Sequence, residues 1–258
     1  MSLLDSVIVG KTPKAPKICI YGTPGVGKST FAAKAPDAIF VQTEDGLDNI
    51  EATKLPLCNN WNDVIAQINA LIQEEHPFKT LVIDSLTNLE RFIWDAVCNQ
   101  FGVKNIEKAD GGFARGYKHA LNYWQDFLNG LSILNREKGM MIILTAHEGV
   151  QEIKDPEMET YHRKAPRIHH LAEYMVSEWC DAVLQAKKNY RIQKTDEGFG
   201  AKRAIASAIG SDGGERVIRT VGTAAVVAKN RFGLPEHMPL DFNIFYDAVI
   251  AGLSDKKE

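Results

Sequence analysis

Gly22-Thr23-Pro24-Gly25-Val26-Gly27-Lys28-Ser29-Thr30 is the stretch that decides how this chain is read. It fits the pattern G-x-x-x-x-G-K-[ST]. The glycines let the backbone curl until successive N–H groups point inward at phosphate oxygens, and the positive end of a following helix adds to that field. Lys28 is then placed to reach the β- and γ-phosphates, and the Ser29 hydroxyl to ligate Mg²⁺. A chance match somewhere in a chain this long has a frequency of about 1% on ordinary residue usage. The flanks agree with a true match. Lys17-Ile18-Cys19-Ile20-Tyr21 reads as a short buried strand that stops at a glycine, and a helix is expected from about Gly27 to Lys34, ending before Pro36. Residues 22–30 therefore predict a bound nucleoside triphosphate, with ATP the expected one.

Working outward, residues 38–42, 80–84 and 140–145 are short apolar runs rich in β-branched side chains. Helical periodicity separates them: Trp61, Val64, Ile65, Ile68, Leu71 and Ile72 make one amphipathic face, ending near His76 and Pro77. Residues 86–101 and 117–138 predict two more helices, the second with Leu121, Trp124, Leu128 and Leu131 on one side. Uniformly apolar strands alternating with helices mean a parallel sheet covered on both faces. The expected fold class is α/β, a P-loop sandwich. Beyond Leu171 the pattern shifts to shorter strands, read at 181–187, 190–194, 204–209, 216–221 and 224–228, with a turn at Ser211-Asp212-Gly213-Gly214, so antiparallel pairing is expected there. A last helix covers about 241–252. Residues 1–16 read as a Pro-containing lead-in and 17–258 as the core domain. Two segments read as loops: 102–116, with its Asp110-Gly111-Gly112, as a mobile one, and 148–169 as a polar one with room for a short hairpin.

Composition excludes little and agrees with this. The 258 residues are 45% hydrophobic and 24% charged with a formal charge of −3, an ordinary globular balance with no global basic signature. Cys19, Cys58, Cys98 and Cys180 are widely spaced and read as reduced buried thiols, which fits a reducing compartment. The first residues are too short and too charged for a signal peptide, and no run approaches the ~20 apolar residues of a membrane span. A cytoplasmic protein with no membrane partner is expected.

A P-loop needs a second half. Asp84, closing the strand Leu81-Val82-Ile83-Asp84, can project beside the loop and hold the Mg²⁺ hydration shell. Hydrolysis also needs a group that orients or deprotonates water. Ser85, not an acid, follows Asp84, so that group must come from elsewhere. Glu44, at the end of the second strand, overhangs the γ-phosphate provided that its strand neighbours that of Asp84; Asp45 is the fallback.

A P-loop after the first strand, a glutamate ending the next and an Asp84-Ser85 pair ending a third together resemble the RecA-type recombinase core, over roughly residues 15–240. The compact size and the segment Leu144-Thr145-Ala146-His147 look most like the core-only, phage-type members associated with single-strand annealing and recombination. The resemblance implies an ATPase acting on single-stranded DNA, self-association into a ring or filament, and a single-strand-binding protein as a further partner. It implies a γ-phosphate sensor at His147, where the family usually has glutamine. It implies that Lys229 and Arg231 enter a neighbour's ATP site. Finally, it implies two DNA-facing loops, the first with Lys104, Lys108 and Arg115, the second with Arg163, Lys164 and Arg167. The second loop also holds Glu152, Asp155, Glu157 and Glu159, which oppose DNA unless they point away.

Overall fold

The computed structural model describes residues 3–7, 10, 12–154, 159–196, 202–208 and 214–254. Asp155, Glu157, Ile209 and the expected turn residues Ser211, Asp212 and Gly213 lie outside them.

The first strand, β1 (Lys17–Gly22), leads through the P-loop into α1 (Lys28–Ala33), which ends at Lys34, ahead of Pro36. Then follow β2 (Ala38–Gln42), β3 (Thr53–Lys54), α2 (Trp61–Gln73), β4 (Thr80–Asp84), α3 (Leu86–Phe101) and α4 (Arg115–Glu137). The strand β5 (Met141–Ile153) doubles back as β6 (Tyr161–Pro166), and α5 (His170–Trp179) leads to β7 (Ala182–Lys188). The rest comprises β8 (Tyr190–Asp196), β9 (Lys202–Ala208), β10 (Arg216–Arg219), β11 (Lys229–Asn230), β12 (His237–Pro239) and α6 (Phe242–Ser254).

The main sheet runs β12-β10-β7-β1-β5-β4-β2-β3. Its centre, from β7 to β3, is parallel, and β10, β11 and β12 add antiparallel pairings from the later chain. The expected mainly parallel α/β sandwich is what is observed. Alternation along β1 shows why: Cys19 and Tyr21 enter the core under α2 to α5, while Ile18 and Ile20 enter the other, under α1 and α6. Phe31 of α1 meets Phe242 and Phe245 of α6 edge-on, with ring centroids 5.3 and 5.6 Å away. Pairs of this kind contribute ~1 kcal/mol each beyond burial, and they fix the helix that carries Lys28.

Three local expectations change, and the hairpin allowed for in 148–169 is found. Residues 102–116 are packed: a 3₁₀ turn at Ile106–Gly111 buries Ile106 and Ala109, and a Cβ on Gly116 would lie 2.1 Å from the Ile106 carbonyl oxygen. Gly116 permits a close approach there instead of loosening a loop. Residues 148–153 and 161–166 pair as the β5–β6 hairpin, since β5 continues past its buried half and pairs Glu148 with Pro166 through to Ile153 with Tyr161. Helix α5 arises where none was expected. Residues 224–228 do not form a strand; they run irregularly, with Lys164 and Val227 bonded backbone to backbone and β11 starting only at Lys229.

Candidate active site

The loop between β1 and α1 has Gly25 at φ 72° and Gly27 at φ 109°, the left-handed region where a side chain is strained. Gly22 is required for another reason: a Cβ there would lie 2.2 Å from the Ala186 carbonyl oxygen on β7. Within this curl the Lys28 ammonium donates to the carbonyls of Gly22 and Thr23, both at 3.1 Å. Burial lowers the Lys28 pKa, and the nearby carboxylates of Asp84 and Glu44 oppose that shift. Thr23, Pro24 and Gly25 are exposed, Val26 is buried beneath the loop, and Thr30 stands exposed on the first turn of α1.

Asp84 heads β4, two strands from the P-loop strand, with β5 between. It is buried and accepts from the hydroxyls of Thr145 and Ser29. Burial raises its pKa, the two hydroxyls lower it, Glu44 raises it and Lys28 lowers it. The Ser29 and Asp84 oxygens are hard donors, and Mg²⁺ is commonly held by one or two protein groups with phosphate and water oxygens completing the shell. The donor set therefore fits that ion.

The condition set for Glu44 is met: β2 and β4 are parallel neighbours, with Gln42 opposite Asp84. Thr43 anchors the chain just before Glu44. Its N–H donates to the Asp84 carbonyl at 2.8 Å, its hydroxyl donates to the Ser85 carbonyl at 2.7 Å and accepts from the Ser85 N–H at 2.8 Å, and Asn88 donates to its carbonyl. Glu44 then faces His147, whose Nε2 lies 3.2 and 3.3 Å from its two carboxylate oxygens. The His147 N–H donates to the Thr87 hydroxyl at 3.0 Å, while its buried Nδ1 has no hydrogen-bond partner among the described residues. Asp45 is exposed and makes no comparable contact among the described residues. Lys28, Ser29, Asp84, Glu44 and His147 thus meet at one corner.

Sequence reasoning missed Thr43, Glu148 and Gln185. Glu148 follows His147, pairs with Lys164 at 2.8 Å and accepts from Gln185 at 2.7 Å. No motif marks these positions; the pairing of β2 with β4 places Thr43, and those of β5 with β6 and of β1 with β7 bring Glu148 and Gln185 together.

Other expected residues lie apart from this corner. The Lys229 ammonium donates to the carbonyls of Ser177 and Cys180, both at 2.8 Å, and of Glu178 at 3.3 Å, so it caps the C-terminus of α5. Arg231 is more than half exposed and touches Asp181 at 3.2 Å. Both belong to the start of β7, where Asn230 faces Ala182, whereas Gly22 faces Ala186 at its far end. Lys104, Lys108 and Arg115 are exposed around the packed 3₁₀ turn. In the hairpin, Arg163 is spent on the buried Glu173 and on Gln151, each at 3.1 Å, and Lys164 on Glu148. The two expected DNA-facing segments adjoin, since Tyr117 stacks on His169 with centroids 4.5 Å apart.

Among the described residues no helix is long and apolar enough to cross a membrane. A family model described as an AAA domain matches residues 14–232. The SPbeta prophage-derived uncharacterized protein YorG of Bacillus subtilis (strain 168) is 21% identical over 145 residues, 54% of this chain, which spans only 43% of that protein. The DNA repair and recombination protein RadB of Methanocaldococcus jannaschii is 23% identical over 201 residues, covering 59% of this chain and 94% of that one. A crystal structure of the RadB recombinase aligns over 88% of each chain, with 14% identity and a TM-score of 0.45.

Proposed function

The chain belongs to the AAA domain family, and from that premise we propose that it binds and hydrolyses ATP at the corner built by residues 22–30, and that it does so on single-stranded DNA in recombination, annealing or repair. The observation that carries this is the convergence of Lys28, Ser29, Asp84 and the Glu44–His147 pair on one end of the parallel strands. The P-loop N–H groups and Lys28 bind the β- and γ-phosphates. Ser29 and Asp84 would hold Mg²⁺, which would supply charge neutralisation to the phosphates. Glu44 takes the proton of the attacking water, and His147 releases Glu44 when the γ-phosphate arrives between them.

The positive charge at Arg231 serves a second copy. It lies about 16 Å along β7 from the strand end that faces Gly22, at roughly 3.3 Å per residue, so it cannot reach its own site. Head-to-tail contact is the arrangement that joins opposite ends of one sheet, and such contacts close into rings or run on as filaments. Lys229, committed to the α5 carbonyls, positions the segment and leaves Arg231 as the donor. Single-stranded DNA crosses the end where Lys104, Lys108 and Arg115 stand exposed beside the hairpin. The RadB relative, by its name a DNA repair and recombination protein, supports this role. A slow ATP-gated switch is a second reading, favoured by one observation: both oxygens of Glu44 are already engaged by His147.

The test is phosphate release with and without single-stranded DNA. Wild type should be stimulated by the DNA, and Lys28→Ala should lose turnover on the order of 10³-fold. A rate that DNA leaves flat would refute the DNA part of the proposal.

A further inference from the structure

Arg167 and Arg216 are both exposed, and among the described residues neither has an ion pair or a side-chain hydrogen bond. They differ in what holds them. Arg167 is fixed through its backbone, whose N–H donates to the His147 carbonyl at 2.8 Å. Arg216 is laid on the P-loop by its side chain. A Cβ added to Gly27 would stand 3.1 Å from the Arg216 Nη1 and 3.4 Å from the Leu240 Cδ2. The guanidinium and the leucine are held together there, since the Leu240 N–H donates to the Arg216 carbonyl at 3.0 Å. Directly behind Leu240, Asp241 Oδ1 accepts the N–H groups of Asn243 and Ile244 at 2.9 and 3.2 Å and locks the start of α6. With Thr30 and Lys34, one turn apart along α1, the pair lines a surface cleft beside the loop.

Sheet order gives this cleft its place along a bound nucleotide. β4, with Asp84, stands two strands from β1 on one side, beyond β5, and β10, with Arg216, stands two strands away on the other, beyond β7. At ~4.8 Å per strand each is about 10 Å from the P-loop strand. Gly22 faces Ala186 on β7, and Arg216 faces Lys188 two residues further on, so Arg216 is at the loop's own end of the sheet. Lys28, Ser29, Asp84 and Glu44 claim the terminal phosphates on the β4 side. The remainder of the nucleotide leaves the loop on the β10 side, over Gly27 and Thr30.

We propose that Arg216 and Leu240 form the subsite for the nucleoside of ATP, with a face of the base against the guanidinium and the leucine side chain. This rests on the reading of residues 22–30 as a triphosphate site. A guanidinium is planar, always charged and weakly hydrated, and it stacks on aromatic faces, while the aliphatic side chain supplies apolar contact. Both groups stand on the far side of the loop from Glu44, so they act on affinity and not on the chemical step.

The experiment uses the full chain with Arg216→Ala and, separately, Leu240→Ala, each with an unchanged melting temperature showing that it folds. The probes are ATP, ADP and inorganic tripolyphosphate, which carries the phosphates without a nucleoside. Arg216→Ala is expected to weaken ATP and ADP alike, about tenfold, and to leave tripolyphosphate unchanged. Leu240→Ala should give the same pattern at about threefold. KM for ATP should rise in step while kcat at saturation moves by less than about twofold. Two results overturn the proposal: nucleotide affinities that stay at the wild-type values in both variants, which put the nucleoside elsewhere; and tripolyphosphate weakened as much as ATP, which makes Arg216 a phosphate contact. If wild type binds neither ATP nor tripolyphosphate better than Lys28→Ala does, the triphosphate reading beneath has failed too.

Discussion

The P-loop corner and the β5–β6 hairpin both carry conspicuous charge, and the chain treats that charge in opposite ways. At the corner, the Lys28 ammonium donates to the loop's own carbonyls, and the carboxylate of Asp84 accepts from two hydroxyls. Those are neutral, replaceable partners, which leave each charge's field for a ligand. In the hairpin, Arg163 meets a carboxylate that is 1% exposed, and Lys164 meets one that is 10% exposed. There the charges cancel internally and hold the fold. Between these two regions, charge facing dipoles is left for a ligand, and charge facing a buried counter-ion serves the architecture.

Four substitutions test how far that contrast holds. The largest effect is expected from Glu44→Gln: turnover falls 10²- to 10⁴-fold, a range of about that width being usual for a lost general base, while ATP stays bound. Single-turnover kinetics and nucleotide binding check it, and unchanged turnover would establish the slow switch instead. Arg163→Ala leaves the Glu173 carboxylate buried without its cation, so stability falls by about 3 kcal/mol in denaturant unfolding. A stable variant with weakened DNA binding would break the contrast.

Next comes Glu90, buried on α3, which accepts the His169 N–H at 2.7 Å and so ties the hairpin's exit to the core. Burial pushes its pKa from 4.5 up to about 7. A carboxyl whose folded pKa is raised contributes stability that is full below 4.5 and lost as pH climbs through 7. Glu90→Gln keeps an acceptor for His169 without the charge. It should match wild type at pH 4 and exceed it at pH 8 by on the order of 3 kcal/mol, read from melting temperatures across that range. The smallest effect is that of Lys164→Ala. Its pair with Glu148 is half open to solvent, so stability should move by less than ~1 kcal/mol and affinity for single-stranded DNA about twofold at most.

The same contrast explains what the sequence made legible. The P-loop, β2, β4 and α3 were readable because backbone geometry and periodicity specify them locally: glycines at fixed offsets, apolar runs bounded by breakers, Asp84 at a strand end. Glu44 was legible only conditionally, through the guess that β2 and β4 are neighbours. Helix α5 was hidden because its buried face includes Glu173, whose cation comes from the hairpin; without Arg163 in view the glutamate reads as surface. The 3₁₀ turn at Ile106–Gly111 was hidden by Asp110-Gly111-Gly112, which signals looseness in sequence, while the turn's Ile106 and Ala109 pack closely against Gly116 in space. Lys229 likewise looked like a free cation because the carbonyls it caps belong to a helix that was not foreseen.

One strand joins the two regions compared above. β5 runs unbroken from Met141, deep between β1 and β4, to Ile153 at the hairpin's outer end, with His147 where the buried half gives way. In mechanical terms it is a lever. The buried half is clamped on both sides, and the outer arm from His147 reaches about 20 Å at roughly 3.3 Å per residue. A rigid arm of that length converts a tilt of roughly 5° at its pivot into ~2 Å of travel at its tip. Ångström-scale events between Glu44 and His147 are therefore amplified at the far end of the hairpin by leverage alone.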